Sequence, residues 1–217
     1  MNPKSPVLLA VLAAALTLPL LADEHGLTPD QALARLTEGN QRFVAGKPTH
    51  PDESADRRHD QAKAQTPFAV VLTCADSRVS PELYFDQGIG DVFVIRNAGN
   101  VLDDHVIGSI EYAIEHLHVH LVIVVGHASC GAVSAAVAGG HAPGHIGSIV
   151  ESIQPALEQV KDQPGDKVDN TVRANASRVA DLLRHSEPIV SEAVHTGEVK
   201  VVAGRYDLDS GAVEILN

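Results

Sequence analysis

The chain has 217 residues, of which 44% are hydrophobic and 20% are charged, a composition typical of one globular domain and not of a disordered protein. The 28 acidic side chains outnumber the 16 basic ones, which gives a net charge of −12 with histidine neutral. This charge repels phosphate-rich partners, so we expect no nucleic acid or anionic membrane surface as a partner and favour a small-molecule ligand.

An export signal is the first element that the sequence predicts. Lys4 precedes an apolar run from Val7 to Ala22, after which the sequence becomes acidic. Because the run is shorter than the roughly 20 residues that cross a bilayer, we expect residues 1–22 to be a cleaved signal peptide and residues 23–217 the mature domain. The protein is then exported, in the periplasm and without a membrane anchor. An uncleaved anchor is the alternative, since Leu20 stands where cleavage sites prefer a small residue.

Helical and strand patterns alternate along the mature chain. Thr28, Pro29 and Gln31 predict a capped helix that ends near Gly46, and a polar, exposed connection follows over residues 47–65. Apolar runs predict strands at residues 68–73, 91–97, 120–126, 198–207 and 212–216. Helices are expected at residues 106–117, 130–138, 148–161, 171–185 and 187–196. This order predicts a single α/β domain whose mostly parallel central β-sheet is flanked by helices.

Both cysteines of the chain follow predicted buried strands. Cys74 ends the first strand, and His127 with Cys130 follows the third. Ligands gather at the carboxyl ends of parallel strands, and the neighbouring glycines, Gly126 and Gly131, permit a tight turn there. Two thiolates and one imidazole are a typical ligand set for catalytic zinc, which leaves a fourth position for water.

Two other interpretations of the cysteines compete with a metal site. A Cys74–Cys130 disulfide is the first expectation for an exported protein, but it gives no reason for His127 or for the charged residues nearby. A redox pair would normally be a C-x-x-C unit, which the sequence lacks. We therefore favour a metal site.

Two charged residues follow Cys74 at short spacing. The guanidinium of Arg78 can hold the carboxylate of Asp76 through two hydrogen bonds, which keeps the carboxylate ionised and away from a metal. The same pair would serve equally well to cap a turn. Beside a zinc ion, a functional role is favoured.

The segments CADSR (74–78) and GHASCGA (126–132) together resemble the β-class carbonic anhydrases. The similarity continues, in the order of the family, through AQTPFAVVLTCADSRVSPE, GDVFVIRNAGN, SIEYAIEHLHV and GRYDLDSGAVEIL, and so covers the chain from about Leu27 to Leu216. It implies the β-carbonic anhydrase fold and a lyase (carbonate dehydratase). The reaction would be the reversible hydration of carbon dioxide to bicarbonate and a proton, through zinc-bound hydroxide.

The resemblance also implies a role for individual residues. It assigns one Zn²⁺ per subunit to Cys74, His127 and Cys130, and a catalytic Asp76–Arg78 dyad that gates the fourth position. It assigns substrate binding to Gln65, Phe93 and Tyr112. The backbone near Gly131 is expected to bind substrate as well, by stabilising the charge that develops on the substrate oxygens. The expected assembly is a homodimer or a dimer of dimers, with the first helix reaching across to the partner.

One departure from the family pattern concerns regulation. The subgroup with an allosteric bicarbonate site carries tryptophan three residues before the first zinc cysteine, where this chain has Val71. Arg96 and Tyr206 match the other two positions of that site. We therefore expect a plant-type-like enzyme without a regulatory bicarbonate pocket.

Two other functions remain open from the sequence. A related hydrolase of carbon disulfide or carbonyl sulfide would use the same zinc chemistry on another linear substrate. A non-catalytic zinc protein is disfavoured, because retention of zinc needs none of Gln65, Asp76 and Arg78.

Overall fold

The computed structural model of the chain describes residues 26–216, and its centre is a five-stranded sheet. The strands are β1 (Ala69–Cys74), β2 (Val92–Asn97), β3 (Leu121–His127), β4 (Lys200–Tyr206) and β5 (Val213–Leu216). Their order across the sheet is β2-β1-β3-β4-β5, and only β5 is antiparallel to its neighbour. The prediction of an α/β domain with a mostly parallel sheet is confirmed, whereas the predicted signal peptide, residues 1–22, lies outside the described residues.

Eight helices surround the sheet within residues 26–216. They are α1 (Pro29–Val44), α2 (Ala55–Gln61), α3 (Pro81–Tyr84), α4 (Asp104–Leu117), α5 (Gly131–Ala138), α6 (Ile146–Gln159), α7 (Lys167–Arg184) and α8 (Ile189–His195). None of these helices combines the length and the apolar character needed to cross a bilayer.

The sequence-based assignment of helices missed two features that depend on capping and not on apolar periodicity. Helix α2 lies inside the predicted exposed connection. It buries none of its residues, so the sequence has no apolar periodicity that would predict it. The Ser54 hydroxyl caps the helix by accepting a hydrogen bond from the Arg57 N–H. Helix α7 begins four residues earlier than expected, because the Asp166 carboxylate accepts from the N–H groups of Val168 and Asp169.

Helices cover both faces of the sheet, which explains why β1 and β3 are buried at every position. Successive side chains of a strand point to opposite faces, and alternate residues of β1 accordingly lie in different clusters. Val70 and Leu72 pack with α4, α7 and α8, whereas Val71 packs with α1 and Tyr206. Burial of each such side chain contributes about 1.5–3 kcal/mol, and it fixes the strand whose last residue is Cys74.

Helix α1 packs against its own sheet. Its predicted capping box is present, with Thr28 and Gln31 each bonding the backbone N–H of the other. Leu36 is fully buried, and the Asn40 amide donates to the carbonyls of Tyr84 and Gly211 at 2.9 and 2.8 Å. The expectation that this helix also reaches across to a partner concerns a second chain and stays a prediction; Val44 near its end is 47% exposed.

The loop after α1 is anchored by the fully buried carboxylate of Asp86. Asp86 accepts hydrogen bonds from Arg42 Nε at 2.6 Å, from the N–H and hydroxyl of Thr49, and from the N–H of His50. Burial alone would raise the pKa of this carboxyl, but these donors outweigh it and hold the pKa well below its usual range.

Replacement Asp86→Asn tests this anchor. We expect a loss of about 2–3 kcal/mol in the free energy of unfolding at pH 7, because charge-assisted bonds are lost and an amide N–H faces other donors. Since the folded-state pKa is depressed, the difference from wild type is full above about pH 5 and shrinks as the pH falls through the unfolded-state value near 3.9. Denaturant unfolding at several pH values measures it, with the exposed Asp162→Asn as control; a difference that grows in acid would contradict the assignment.

Candidate metal centre and active site

Three potential metal ligands meet at the carboxyl edge of the sheet. Cys74 is the last residue of β1, His127 is the last residue of the adjacent β3, and Cys130 is the N-cap of α5. All three are buried, and their ligand atoms lie within 4.8 Å of one another. The convergence that the sequence predicts is therefore present.

The distance between the two sulfurs distinguishes a metal site from a disulfide. Cys74 Sγ and Cys130 Sγ are 3.9 Å apart and both thiols are free. A disulfide requires about 2.05 Å, whereas two sulfurs held tetrahedrally at roughly 2.3 Å from a zinc ion lie about 3.8 Å apart. The spacing fits zinc and excludes a disulfide in this structure.

The imidazole of His127 is oriented for a metal. The side chain is fully buried, and Nδ1 lies 2.9 Å from the carbonyl oxygen of Ala128. Because a carbonyl only accepts, Nδ1 carries the proton and Nε2 presents its lone pair. Within the described residues Nε2 has no hydrogen-bond partner, so a buried lone pair is left unused in a cluster whose ligand atoms lie within 4.8 Å of one another. A buried acceptor of this kind is what a metal ion satisfies.

The two thiols favour one negative charge and resist a second. A hydrogen bond from the Cys130 thiol lowers the pKa of Cys74, and contacts from His127 and the Gly99 N–H lower it further against the opposing effect of burial. The resulting Cys74 thiolate, together with burial, raises the pKa of Cys130. A dication between the sulfurs removes this repulsion, which is a second reason why the ligand set suits Zn²⁺.

Asp76 and Arg78 form the bidentate pair that the spacing predicts. Arg78 donates from Nε to Asp76 Oδ1 at 2.9 Å and from its second nitrogen to Oδ2 at 2.7 Å, and its backbone N–H donates to Oδ1 at 3.0 Å. These bonds hold the pKa of Asp76 well below its usual range. Oδ2 lies 3.9 Å from His127 Nε2, so an ionised carboxylate borders the metal position.

Arg96 has a structural role that the sequence analysis missed. Its guanidinium donates to the carbonyl oxygens of Cys74 at 3.1 Å and of Asp76 at 2.7 Å. It therefore fixes the loop that carries both the first ligand and the carboxylate. The sequence carries no signal for this role, because it follows from the β1–β2 register, which places Arg96 opposite Thr73 and next to Cys74.

The three positions matched to the regulatory bicarbonate site are engaged in other contacts. Val71 is fully buried, the Tyr206 ring stacks on Tyr84 with centroids 4.5 Å apart, and Arg96 bonds the loop carbonyls. These contacts favour the interpretation without a regulatory pocket, which stays a prediction.

The predicted substrate-binding residues divide into two groups. Gly131 begins α5 directly after Cys130, so its backbone N–H lies at the positive end of a helix beside the metal position. Phe93 instead pairs with Val70, four residue steps of roughly 3.3 Å from the carboxyl end of β1, which is about 13 Å away. Tyr112 lies beside Phe93, with ring centroids 6.5 Å apart, and Gln65 precedes β1 at its amino end. Within one chain, these three residues do not reach the metal ligands.

An α/β sheet with two thiols and an imidazole at tetrahedral spacing, bordered by an ionised carboxylate, defines a metalloenzyme with a catalytic zinc site. Comparison with known proteins narrows this class. Residues 69–213 match the family model described as carbonic anhydrase. Carbonic anhydrase 2 of Mycobacterium tuberculosis is 43% identical over 187 residues, which cover 84% of this chain and 90% of that protein.

Solved structures agree with the family match. The Coccomyxa β-carbonic anhydrase in complex with acetazolamide superposes with a TM-score of 0.65 and 27% identity, covering 85% of this chain and 86% of that one. The β-carbonic anhydrase CafA of Aspergillus fumigatus gives a TM-score of 0.67 and 28% identity, covering 87% and 90%. The chain belongs to the carbonic anhydrase family and to its β class. It is a zinc-dependent lyase that hydrates carbon dioxide reversibly.

Replacement His127→Ala tests the ligand set. We expect zinc affinity to fall by more than the roughly 10–100-fold that loss of an outer-shell partner costs, because a direct ligand is removed. Competition with a chromogenic chelator measures the affinity, and circular dichroism checks the fold. His105→Ala, which removes an exposed imidazole on α4, is the control. Equal zinc affinity in wild type and His127→Ala would refute the assignment.

Proposed function

We propose that carbon dioxide is hydrated at the centre formed by Cys74, His127 and Cys130, with Asp76 and Arg78 as the catalytic dyad. The observation that carries this proposal is the buried Nε2 of His127, which has no hydrogen-bond partner among the described residues. It belongs to a cluster with two sulfurs that are 3.9 Å apart, and it lies 3.9 Å from an ionised carboxylate. When bound there, zinc is a Lewis acid that makes a nucleophile available from water near neutral pH.

The carboxylate of Asp76 selects what approaches the centre. Because its pKa lies well below the working pH, Asp76 carries no proton and only accepts hydrogen bonds. It therefore favours groups that present an O–H, such as water and bicarbonate, and orients that O–H so that the oxygen lone pair faces the substrate carbon. Carbon dioxide has no proton to donate, so Asp76 does not bind it in place of the O–H group.

Arg78 keeps Asp76 in this role. Two parallel N–H donors engage both carboxylate oxygens, so Asp76 cannot rotate to become a fourth metal ligand without losing both bonds. Arg78 also donates to the Ser129 carbonyl at 3.4 Å, which links the dyad to the loop between His127 and Cys130. The N–H of Gly131 supplies a donor for negative charge that develops on the substrate oxygens.

Replacement Arg78→Ala tests the dyad. We expect kcat/KM to fall about 100-fold, the lower end of what a positioned acid–base group contributes, because Asp76 becomes free to turn onto the metal. Without Arg78 the pKa of Asp76 rises toward its usual value of about 3.9, still far below the assay range. The loss is therefore the same factor from pH 6.5 to 9.

Stopped-flow hydration assays with matched zinc content measure this loss. Arg58→Ala removes an exposed arginine on α2 and is the control. A loss that disappears in alkaline solution, or no loss, would contradict the proposed role of the dyad.

We propose further that the active site is completed by a second copy of the chain. Strand β2 is an edge strand, and Val92, Phe93, Val94 and Ile95 are only half-buried on it. Tyr112 of the neighbouring α4 is 46% exposed. An edge strand with an uncovered apolar surface is a pairing surface for another chain.

Twofold symmetry accounts for the separation of the substrate-binding residues. Two copies of β2 related by a twofold axis run antiparallel, so the amino half of one strand lies beside the carboxyl end of the other. Phe93 and Tyr112 of each chain would then approach the Cys74 edge of its partner. This arrangement supports a homodimer, or a dimer of dimers, in which Gln65, Phe93 and Tyr112 bind substrate across the interface.

Subunit complementation tests this arrangement. One chain carries Asp76→Asn, and the other carries Gln65→Ala with Tyr112→Ala. If the pocket is shared, the mixed dimer contains one site built entirely from wild-type residues, and its activity exceeds that of both parent homodimers. Differently tagged chains allow purification of the mixed species. Activity equal to the mean of the parents would overturn the shared pocket.

We propose that the protein is exported and that residues 1–22 are removed. Support comes from the sequence alone, where the apolar run from Val7 to Ala22 ends at an acidic segment. The intact mass of the protein from the periplasmic fraction should correspond to a chain that begins at Asp23. A full-length chain in the membrane fraction would support an anchor instead.

A further inference from the structure

The turn between β2 and α4 brings a backbone donor onto one of the candidate zinc ligands. The N–H of Gly99 donates to Cys74 Sγ at 3.3 Å in a buried environment. Gly99 has φ +77, and a Cβ at this position would lie 2.9 Å from Ile153 Cδ1 and 3.1 Å from Ala132 Cβ. Only glycine combines this backbone conformation with so close an approach.

Asn175 of α7 holds the carbonyl end of the same residue. Its Nδ2 donates to the Gly99 carbonyl oxygen at 3.0 Å, and the residue is 1% exposed. Among the described residues, its Oδ1 has no hydrogen-bond partner. A buried polar atom without a partner costs about 1–3 kcal/mol, so packing alone would favour an apolar side chain here. The bond to Gly99 is the interaction that an asparagine amide can make at this position and that a leucine side chain cannot.

Asn97, the last residue of β2, also fixes the turn. Its Oδ1 accepts from the Val101 N–H at 2.9 Å, and its Nδ2 donates to the Val101 carbonyl at 2.8 Å. The main chain at Gly99 is therefore held between β2 and α7, with its N–H directed at Cys74. The Asn97 bonds act on Val101, whereas the Asn175 bond comes from outside the turn and acts on Gly99 itself.

We propose that Asn175 is a positioning residue for the zinc centre. It acts through Gly99, whose N–H it keeps on the Cys74 sulfur. A hydrogen bond to a thiolate withdraws charge from the sulfur and limits the charge that the sulfur donates to the metal. Asn175 thereby sets both the orientation and the donor strength of this ligand. The inference rests on the proposed zinc ligation by Cys74 and adds an outer contact to it.

Replacement Asn175→Leu in the cobalt-substituted enzyme tests the proposal. Without the donor, the Gly99 N–H moves off the sulfur and the thiolate becomes richer in electrons. We expect the sulfur-to-cobalt charge-transfer band to shift to longer wavelength because the sulfur donates more charge. We expect zinc affinity to fall about 10-fold or more because Cys74 is no longer held in its ligating orientation. Chelator competition measures the affinity. These readouts report on the metal–sulfur bond and not on general stability.

The same helix offers a matched control. Asn170 also donates from Nδ2 to a backbone carbonyl, that of Pro164 at 3.0 Å, but this bond is exposed and acts on the segment before α7 and not on Gly99. Asn170→Leu should leave the band and the zinc affinity unchanged. A folded Asn175→Leu protein with the wild-type band and affinity would overturn the proposal. A wild-type cobalt protein without any thiolate band would instead refute ligation by cysteine.

A second variant and a measurement on the wild type cover the case in which Asn175→Leu does not fold. Asn175→Ser is smaller and is tested with the same two readouts and the same criteria. In the wild-type protein loaded with cadmium-113, scalar coupling between the metal and the Gly99 amide proton reports the N–H to sulfur bond. Coupling at Gly99, together with slow exchange of the Asn175 side-chain amide protons, supports the proposal. Absence of either signal overturns it.

Discussion

The pairing of β1 with β3 is the constraint on which the rest of the site depends. The two strands run parallel and in register from Val70 opposite Val122 to Thr73 opposite Val125. Their carboxyl ends therefore emerge side by side, and Cys74 lies next to the strand that ends at His127. Every other component of the centre is placed relative to this pair of strand ends, and burial on both faces of the sheet keeps the pair from shifting.

Hydrogen bonds to the loops then fix the exact positions of the groups that the strands bring together. Arg96 reaches over from the edge strand β2 and bonds the carbonyls on both sides of Ala75, which fixes the path of the chain after Cys74. Arg78 holds the Asp76 side chain, and Asn175 holds Gly99. Each of these three residues bonds a backbone or carboxylate oxygen and not a metal-ligating atom, so the precision of the centre comes from side chains that do not touch the metal.

Local sequence patterns predict much of this arrangement. Continuous apolar runs identify β1 and β3, and the C-x-D-x-R and H-x-x-C spacings identify the ligands and the dyad. Helix α2 was not predicted because it has a Ser54 cap but no apolar stripe. The roles of Asn175 and Arg96 were not predicted. Asn175 bonds a residue 76 positions away in sequence and Arg96 bonds one 22 positions away. Both bond backbone carbonyls, which every residue has, so no motif spacing identifies them. The separation of Phe93 from the ligands follows from strand register, which neither composition nor motif records.

The register of β1 and β3 also determines where the length of this chain can change over evolution. Side chains alternate between the two faces of a strand, so inserting or deleting one residue within β1 turns Cys74 away from His127 and exchanges the two core clusters at once. The exposed glycine-rich stretch at residues 139–145, which connects α5 to α6, carries no such requirement. Insertions and deletions among relatives should therefore accumulate in connections of this kind, while the two strands keep a constant length because a change of one residue removes the catalytic centre altogether.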